Sequence, residues 1–194
     1  MSEYKTDLLG RDENVRENIE KAALKLNGVV IPSNKEFSFN AIVGITDQAH
    51  GYKNAPVILH DKIVQAAGGG VCQVSSTLYN AVLLANLDVV NRVNHSHQVR
   101  YVPAGLDATV ADNGPDFKFK NTTDTPIYIK TIIKDNQLTV KLFGKISDDI
   151  VHVYTKTTEQ TNSLLKINTY RTVENKNEKV IKRELISSST YKIK

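Results

Sequence analysis

The sequence predicts an α+β fold: an N-terminal helix and a cysteine-bearing helix pack on a largely antiparallel β-sheet, and a β-rich C-terminal extension follows. Three observations lead to this prediction. Residues 12–27 place apolar side chains at helical spacing, and so do the residues after Cys72. From Ile127 onward, runs of β-branched and apolar residues alternate with turn sequences, which is typical of antiparallel strands.

The first predicted helix covers residues 12–27. Acidic residues lead this segment and lysines close it, which suits the dipole of a helix. Asn27-Gly28 then provides a C-terminal stop. The apolar residues on its inner face are Val15, Ile19, Ala22, Ala23 and Leu26.

The predicted strands are short before Ile127 and longer after it. The early extended segments are 29–31, 36–40, a hairpin of 55–60 with 62–65, 89–93, 95–102, the short apolar segment 108–110 and 117–120. A hairpin of 127–133 with 137–143 turns at Lys134-Asp135-Asn136, and further strands are expected at 151–154, 163–173 and 179–188. We therefore divide the chain into a core of residues 1–144 and a β-rich extension of residues 145–194, which either stands alone or packs within the same domain.

Composition limits the class of protein. Hydrophobic residues make up 40% of the chain, as in ordinary globular proteins, and no apolar run is long enough to cross a membrane. The polar N-terminus lacks the pattern of a signal peptide. The single cysteine excludes an internal disulfide and any zinc site built from two or four cysteines of one chain.

Positive charge is concentrated in the C-terminal segment. Residues 151–194 contain nine Lys or Arg against four Glu, whereas the rest of the chain is close to neutral. A basic surface suits an anionic partner such as a nucleic acid or a cell-wall polymer, and it is equally compatible with a solvated β surface. Because no nucleic-acid motif or aromatic interleaving accompanies the charge, we expect no nucleic-acid partner.

Cys72 is the first candidate for chemistry. It follows Gly68-Gly69-Gly70-Val71 and lies at the start of a predicted helix, where unpaired N–H groups and the helix dipole favour a negative charge. A thiolate is the nucleophilic form of cysteine, and glycines allow a substrate or other backbone to approach the sulfur closely. The alternative is that Cys72 is a small buried hydrophobic residue beside a tight turn.

A cysteine nucleophile needs a base and a group that orients the base. His95 and His97 are two residues apart on a predicted strand, so both should point to one face, and Asp107 follows. The order cysteine on a helix, histidine on a strand, then aspartate is that of papain-like and transglutaminase-like enzymes. The alternatives are two structural histidines or a His-x-His metal pair, for which His50, His60 or Asp107 would have to supply a third ligand.

Residues 68–81, GGGVCQVSSTLYNA, resemble the signature of the VanW family. The resemblance covers about residues 11–144. It includes 36–40, Gly51-Tyr52, Ala55-Pro56, His95-Ser96, residues 101–103, Gly105, residues 107–110, Asp116, Phe119 and Asn121. Some members of this family are regarded as cysteine L,D-transpeptidases of bacterial peptidoglycan.

The resemblance implies a reaction and a set of site residues. Cys72 would attack the carbonyl of the third stem-peptide residue, and a neighbouring stem would take the acyl group to make a 3-3 cross-link. His95 matches the family's His-Ser position and is the expected base, with His97 second, and Asp107 is the expected orienting group. Backbone N–H groups of Cys72 and of Gly69, Gly70 or Gln73 would form the oxyanion hole, and Arg100 or Tyr101 would contact a substrate carboxylate.

Two other functions remain open at this point. Water in place of the amine would make the protein a peptidoglycan peptidase or L,D-carboxypeptidase, and a structural Cys72 would make it a noncatalytic wall-binding module linked to vancomycin resistance. The resemblance implies no cofactor and no metal. It implies stem peptides as partners, and an extracytoplasmic, wall-associated location reached through a targeting or anchor segment outside this sequence.

Overall fold

The computed structural model describes residues 2–59, 62–145 and 147–193. The helices in this part of the chain are α1 Glu13–Leu26, α2 Phe39–Val43 and α3 Val71–Leu84. The strands are β1 Ser2–Asp7, β2 Val30–Ile31, β3 Glu36–Ser38, β4 Asn54–Leu59, β5 Lys62–Ala67, β6 Asp88–Asn91, β7 Lys118–Lys120, β8 Ile127–Lys134, β9 Gln137–Phe143, β10 Ile150–Gln160, β11 Leu164–Glu174 and β12 Val180–Lys192.

The strands form four sheets, and every strand pair among the described residues is antiparallel. The sheet orders are β1-β9-β8-β2, β10-β11-β12, β3-β7-β6 and β4-β5. Helix α3 packs against β1 and β9 on one side and against α1 on another. The predicted α+β class with largely antiparallel sheets is confirmed, and strands outweigh helices.

The two long helices lie where the sequence predicts them. Asp12 and Asn27 cap α1, and its buried residues include all five apolar positions of the predicted face. Helix α3 is different because it is almost completely enclosed, although several of its side chains are polar. From Val71 to Leu83 every residue except Cys72 is buried. An enclosed helix of this kind belongs to the core, so Cys72 marks the point where the core helix reaches a surface.

Both predicted hairpins are confirmed, and the turn of the second shows why. Asp135 and Asn136 have φ of 52° and 59°, the left-handed conformation that a two-residue hairpin turn requires and that Asn and Asp tolerate. Strands β8 and β9 pair from Tyr128 with Phe143 to Lys134 with Gln137. The turn of the β4–β5 hairpin, residues 60–61, lies outside the described residues, and so does His60.

Three predicted strands differ from the structure. Residues 95–102 and 108–110 form no strand, because their polar backbone groups bond to side chains and to other loops. The segment 36–40 is a strand only to Ser38, whose hydroxyl accepts the Ala41 N–H and thereby starts α2. The sequence also gives no signal for β1, an edge strand that pairs with β9 from Ser2 to Asp7.

The C-terminal sheet of β10, β11 and β12 contacts the core at several points. Arg171 of β11, whose side chain is 1% exposed, donates from Nη1 to the carbonyls of Leu83 and Leu87 at the end of α3. Leu83 lies in the last turn of α3, where its carbonyl also accepts the Asn86 N–H, and the guanidinium adds to the cap of this helix end. No helix among the described residues combines the length and the apolar character needed to span a membrane.

Candidate active site

A cleft of about 880 Å³ opens at Cys72. Its floor is the glycine loop of residues 68–70 and the start of α3. Its apolar lining residues include Phe39, Val43, Pro56 and Val57. Its polar lining residues include Arg11, His95, His97, Arg100, Tyr101 and Lys192. The cleft is large enough for a peptide of a few residues.

The glycine loop lies against two neighbouring elements too closely for side chains. A Cβ on Gly69 would lie 2.7 Å from the Pro56 carbonyl oxygen, and one on Gly70 would lie 2.9 Å from that of Val15. Gly70 is the N-cap of α3 and has a φ of 107°, a backbone conformation that residues other than glycine rarely adopt. The loop therefore packs on both β4 and α1, and this packing places Cys72 at the second residue of the helix.

An extended segment, residues 106–110, runs alongside α3 in matched register. Asn80 Nδ2 donates to the Leu106 carbonyl at 2.7 Å, and Ser76 Oγ accepts the Ala108 N–H at 2.9 Å. Cys72, four residues before Ser76, contacts Val110, two residues after Ala108, through its Sγ atom. Four residues of a helix rise about 6 Å, and two residues of an extended segment span about 6.6 Å. Every fourth residue of α3 therefore lies opposite every second residue of segment 106–110.

The Cys72 sulfur lies between the two backbone groups of Val110. The thiol donates to the Val110 carbonyl at 3.4 Å, and the Val110 N–H lies 3.5 Å from Sγ. A thiolate accepts hydrogen bonds and does not donate them, so the Val110 N–H is placed to stabilise the ionised form. Within the described residues the Cys72 N–H has no hydrogen-bond acceptor.

His95 and Asp107 form a buried pair beside Cys72. The Nδ1 atom of His95 lies 2.6 Å from Asp107 Oδ2, and the His95 main-chain N–H donates to the same oxygen at 2.7 Å. Because Nδ1 faces a carboxylate, it carries a proton, and Nε2 is the ring nitrogen left for chemistry. The side chains of His95 and Asp107 are 9% and 1% exposed.

The second oxygen of the Asp107 carboxylate has its own donors. Arg92 Nη2 lies 3.0 Å from Oδ1, and the Tyr191 hydroxyl donates to the same atom. The Arg92 side chain also lies over the Tyr79 ring and donates to the main-chain carbonyls of Asp107 and Gly105. Burial raises the pKa of Asp107, but the hydrogen bond from His95 and the charge of Arg92 lower it by more, so the carboxyl is ionised at neutral pH.

The pKa of His95 is raised from its ordinary value to about 9. Burial alone lowers it, because a desolvated imidazolium is disfavoured. The hydrogen bond with Asp107 and then the interaction with Cys72 raise it by more, through both hydrogen bonding and charge. At neutral pH the site therefore holds a protonated imidazole next to the cysteine.

Other residues predicted from the sequence lie in the cleft with different environments. His97 lines the cleft beside His95, although neither is on a strand, and its Nδ1 lies 3.0 Å from the Lys192 carbonyl oxygen. Arg100 is exposed at the cleft wall. The Tyr101 hydroxyl is buried close to Ser76. Burial and then the charge of Cys72 raise the pKa of Tyr101 well above its usual value.

Gln73 is turned away from the reaction centre. Its backbone N–H donates to the Gly70 carbonyl at 2.9 Å, and its side-chain amide donates to Thr6 and to the Asp7 carbonyl in β1. Among the described residues, the N–H groups of Gly69, Gly70 and Cys72 have no hydrogen-bond acceptor, so these expected oxyanion donors are better placed than the N–H of Gln73.

Sequence reasoning missed three residues of the site. Arg11 precedes the first helix, and its guanidinium lies over the Tyr101 ring at 5.3 Å. Arg92 and Tyr191 hold Asp107 from segments 15 and 84 residues away. The polar stripe Cys72, Ser76, Asn80 at intervals of four residues was a usable signal for a partner segment along α3.

The metal alternative for the histidine pair finds no support in the side chains that surround it. Across the described ranges, no three residues of His, Cys, Asp or Glu come together in a way that would hold an ion. His50 pairs with Asp47 at 2.6 Å and does not line the cleft.

Comparison with known proteins gives three findings. A family model described as "VanW like protein" matches residues 14–143. The chain is 38% identical over 152 residues to the uncharacterized protein YoaR of Bacillus subtilis. This match covers 78% of this chain and 49% of that protein. It is 30% identical over 139 residues to the vancomycin B-type resistance protein VanW of Enterococcus faecalis, covering 68% of this chain and 50% of that protein.

The chain thus spans about half the length of these curated relatives. No solved structure matches it.

Proposed function

This chain belongs to the VanW family, and from the geometry of its cleft we propose that it is a cysteine L,D-transpeptidase of bacterial peptidoglycan. One observation carries the proposal. Cys72 and His95 line the same cleft, the interaction with Cys72 is among the causes that raise the pKa of His95, and the His95 ring is held by the ionised Asp107. A nucleophile, a base and a group that orients the base are the parts of a covalent acyl-transfer site.

The first half of the reaction forms a thioester. The Cys72 thiolate attacks the carbonyl carbon of the third stem-peptide residue, and the Cys72 N–H stabilises the oxyanion of the tetrahedral intermediate. His95, protonated at neutral pH, gives its Nε2 proton to the departing nitrogen. The amide bond breaks, D-Ala leaves as a free amine, and the acyl group remains on sulfur.

The second half regenerates the enzyme. The side-chain amine of a neighbouring stem attacks the thioester carbonyl, and the now neutral His95 takes the proton that the amine loses. The C–S bond breaks, a new amide joins the third residues of two stems, and the sulfur leaves as a thiolate beside the imidazolium. If water attacks instead, the same site releases a tripeptide and acts as an L,D-carboxypeptidase.

Charge in the cleft suits the leaving group. The D-Ala residue of a tetrapeptide ends in a carboxylate close to the scissile bond. Arg11 and Arg100 line the cleft, and its acidic lining residue Asp112 is bonded to Thr46. Arg11 lies 5.3 Å over the ring of Tyr101, which lines the cleft together with Cys72, so we assign Arg11 to this carboxylate, and Arg100 is a second cation in the lining.

The proposal places the protein at the cell wall, outside the cytoplasm, with stem peptides as its partners. Family membership supports this location, since a relative is named for vancomycin resistance. The basic C-terminal sheet suits an anionic wall polymer, with exposed Lys156, Lys182 and Arg183 on its surface.

The test is incubation of the purified protein with disaccharide-tetrapeptide and analysis of the products by mass spectrometry. A dimer that has lost one D-Ala supports transfer, and a tripeptide alone supports hydrolysis. Cys72→Ala and His95→Gln should form neither product, whereas His50→Gln, an exposed histidine outside the cleft, should keep wild-type activity. If the folded wild-type protein forms no product, both enzymatic functions are wrong.

A further inference from the structure

The two carboxylate oxygens of Asp107 have different hydrogen-bond donors. Oδ2 accepts both hydrogen bonds from His95, whereas Oδ1 accepts Arg92 and the Tyr191 hydroxyl. Two donors on Oδ2 restrict rotation of the carboxylate about its Cβ–Cγ bond, and donors on Oδ1 restrict it further. The donors on Oδ1 therefore help to keep Oδ2 in line with the imidazole.

The direction of the Tyr191 hydrogen bond follows from its other contact. The Gly105 N–H donates to the Tyr191 oxygen at 2.6 Å, so that oxygen is an acceptor on this side. The hydroxyl has one proton, and Asp107 Oδ1 is its remaining partner. Burial and the charge of Asp107 raise the pKa of Tyr191 to about 12, so the proton stays on the tyrosine at any physiological pH.

Strand β12 holds Tyr191 rigidly. The side chain is fully buried and packs with Leu165 and Ile167 of β11, and Leu165 is its direct neighbour in the sheet. Two residues earlier on the same strand, Ser189 Oγ accepts Arg92 Nη1 at 2.7 Å. Both donors to Oδ1 are thus tied to β12, one directly and one through a serine.

This strand lies beyond the part of the chain that matches the family model, which ends at residue 143. We propose that Tyr191 is a positioning residue of the site: it fixes the Asp107 carboxylate so that Oδ2 orients His95 towards Cys72, and the functional unit therefore includes the β11–β12 hairpin. The charged and titratable groups around the carboxylate are His95, Arg92 and Tyr191, with Cys72 and Tyr101 beyond the imidazole. The role of Tyr191 in catalysis rests on the proposed function, whereas its effect on the orientation of His95 can be measured without peptidoglycan.

The test compares Tyr191→Phe with Tyr170→Phe in the full chain. Tyr170 lies in the same sheet, stacks on Tyr154, and accepts a hydrogen bond from Asn168, so it is a matched tyrosine outside the Asp107 network. Two readouts are used: titration of the His95 ring by NMR, and the rate of Cys72 alkylation by iodoacetamide against pH. Neither needs the substrate, so a failed transpeptidase assay does not affect them.

We expect His95 to titrate near 9 in the wild type and in Tyr170→Phe, and at a lower pH in Tyr191→Phe because the bond to Asp107 loosens. The rate of Cys72 alkylation should be lower in Tyr191→Phe than in Tyr170→Phe, because a displaced imidazole stabilises the thiolate less well. A His95 titration in folded Tyr191→Phe at or above the wild-type value would overturn the proposal.

A second variant covers the case in which Tyr191→Phe fails to fold. Ser189→Ala keeps Tyr191 and removes the acceptor of Arg92 Nη1, so it should shift the His95 titration in the same direction by a smaller amount. An unchanged titration in Ser189→Ala would then count against a positioning role for β12.

Discussion

The His95 ring and the His95 main chain bind one and the same atom, Oδ2 of Asp107, at 2.6 and 2.7 Å. A single carboxylate oxygen therefore sets both the position of the loop and the orientation of the imidazole. Segment 107–110 also supplies Val110, whose backbone contacts the Cys72 sulfur. One short stretch of chain thus orders both the nucleophile and the base.

Replacing Cys72 by Ser should lower the pKa of His95. The wild-type value of about 9 includes contributions from the hydrogen bond and the charge of Cys72, and a serine hydroxyl stays neutral in this range. The measurement is the NMR titration of the His95 ring in both proteins, with the exposed His50 as an internal reference. An identical His95 titration in the two proteins would show that the sulfur carries no charge that the imidazole senses.

Asp107→Asn should destabilise the protein by about 3–5 kcal/mol, because it leaves the Arg92 guanidinium buried without its carboxylate. The free energy of unfolding in urea is the measurement, and the exposed, Lys145-paired Asp124→Asn is the control, with no expected change. The pH dependence has a defined sign. Because the folded pKa of Asp107 is lowered, its contribution is present above the unfolded value of about 3.8 and is lost as the pH falls through the folded pKa.

Gly69→Ala should cost stability and activity together. Its Cβ would lie 2.7 Å from the Pro56 carbonyl and 2.8 Å from Ala55 Cβ, so the loop must move away from β4. Overpacking of this kind costs about 1–3 kcal/mol, and the movement shifts the start of α3 under Cys72. Gly114→Ala, whose Cβ would meet Ala111 Cβ at 3.3 Å in an exposed turn, is the matched control. Equal melting temperatures and Cys72 alkylation rates for the two variants would contradict this account.

Arg11→Gln should reduce the preference of Cys72 for anionic reagents. If Arg11 binds a carboxylate next to the sulfur, the ratio of alkylation rates with iodoacetate and iodoacetamide falls in the variant. The expected change is up to about fivefold, which corresponds to about 1 kcal/mol between unit charges 4 Å apart in water. Arg183→Gln removes the same charge from the exposed face of β12 and should leave the ratio unchanged. A ratio that falls equally in both variants would indicate net charge alone.

The sequence predicted helix α1, the cysteine-bearing helix and both hairpins, because each depends on local periodicity, caps and turn residues. It failed at 95–102, where an extended pattern predicted a strand and the structure has a loop. The His95 main-chain N–H bonds to the Asp107 side chain in place of a neighbouring strand. Such an exchange leaves no periodic signal, because the bond joins groups twelve residues apart in a segment without regular structure.

The candidate site divides in the same way. Cys72, the glycine loop and the order of His95 and Asp107 were visible in the chain, since a helix start and residue types are local properties. Bringing Arg92 and Tyr191 to the two sides of one carboxylate oxygen was not visible, because it depends on how the C-terminal hairpin packs on the core. Local sequence specifies the nucleophile and its helix. Long-range packing decides which buried side chains hold the base in place. The hydrophobic effect that drives this packing is non-directional, so the sequence pattern does not reveal its outcome.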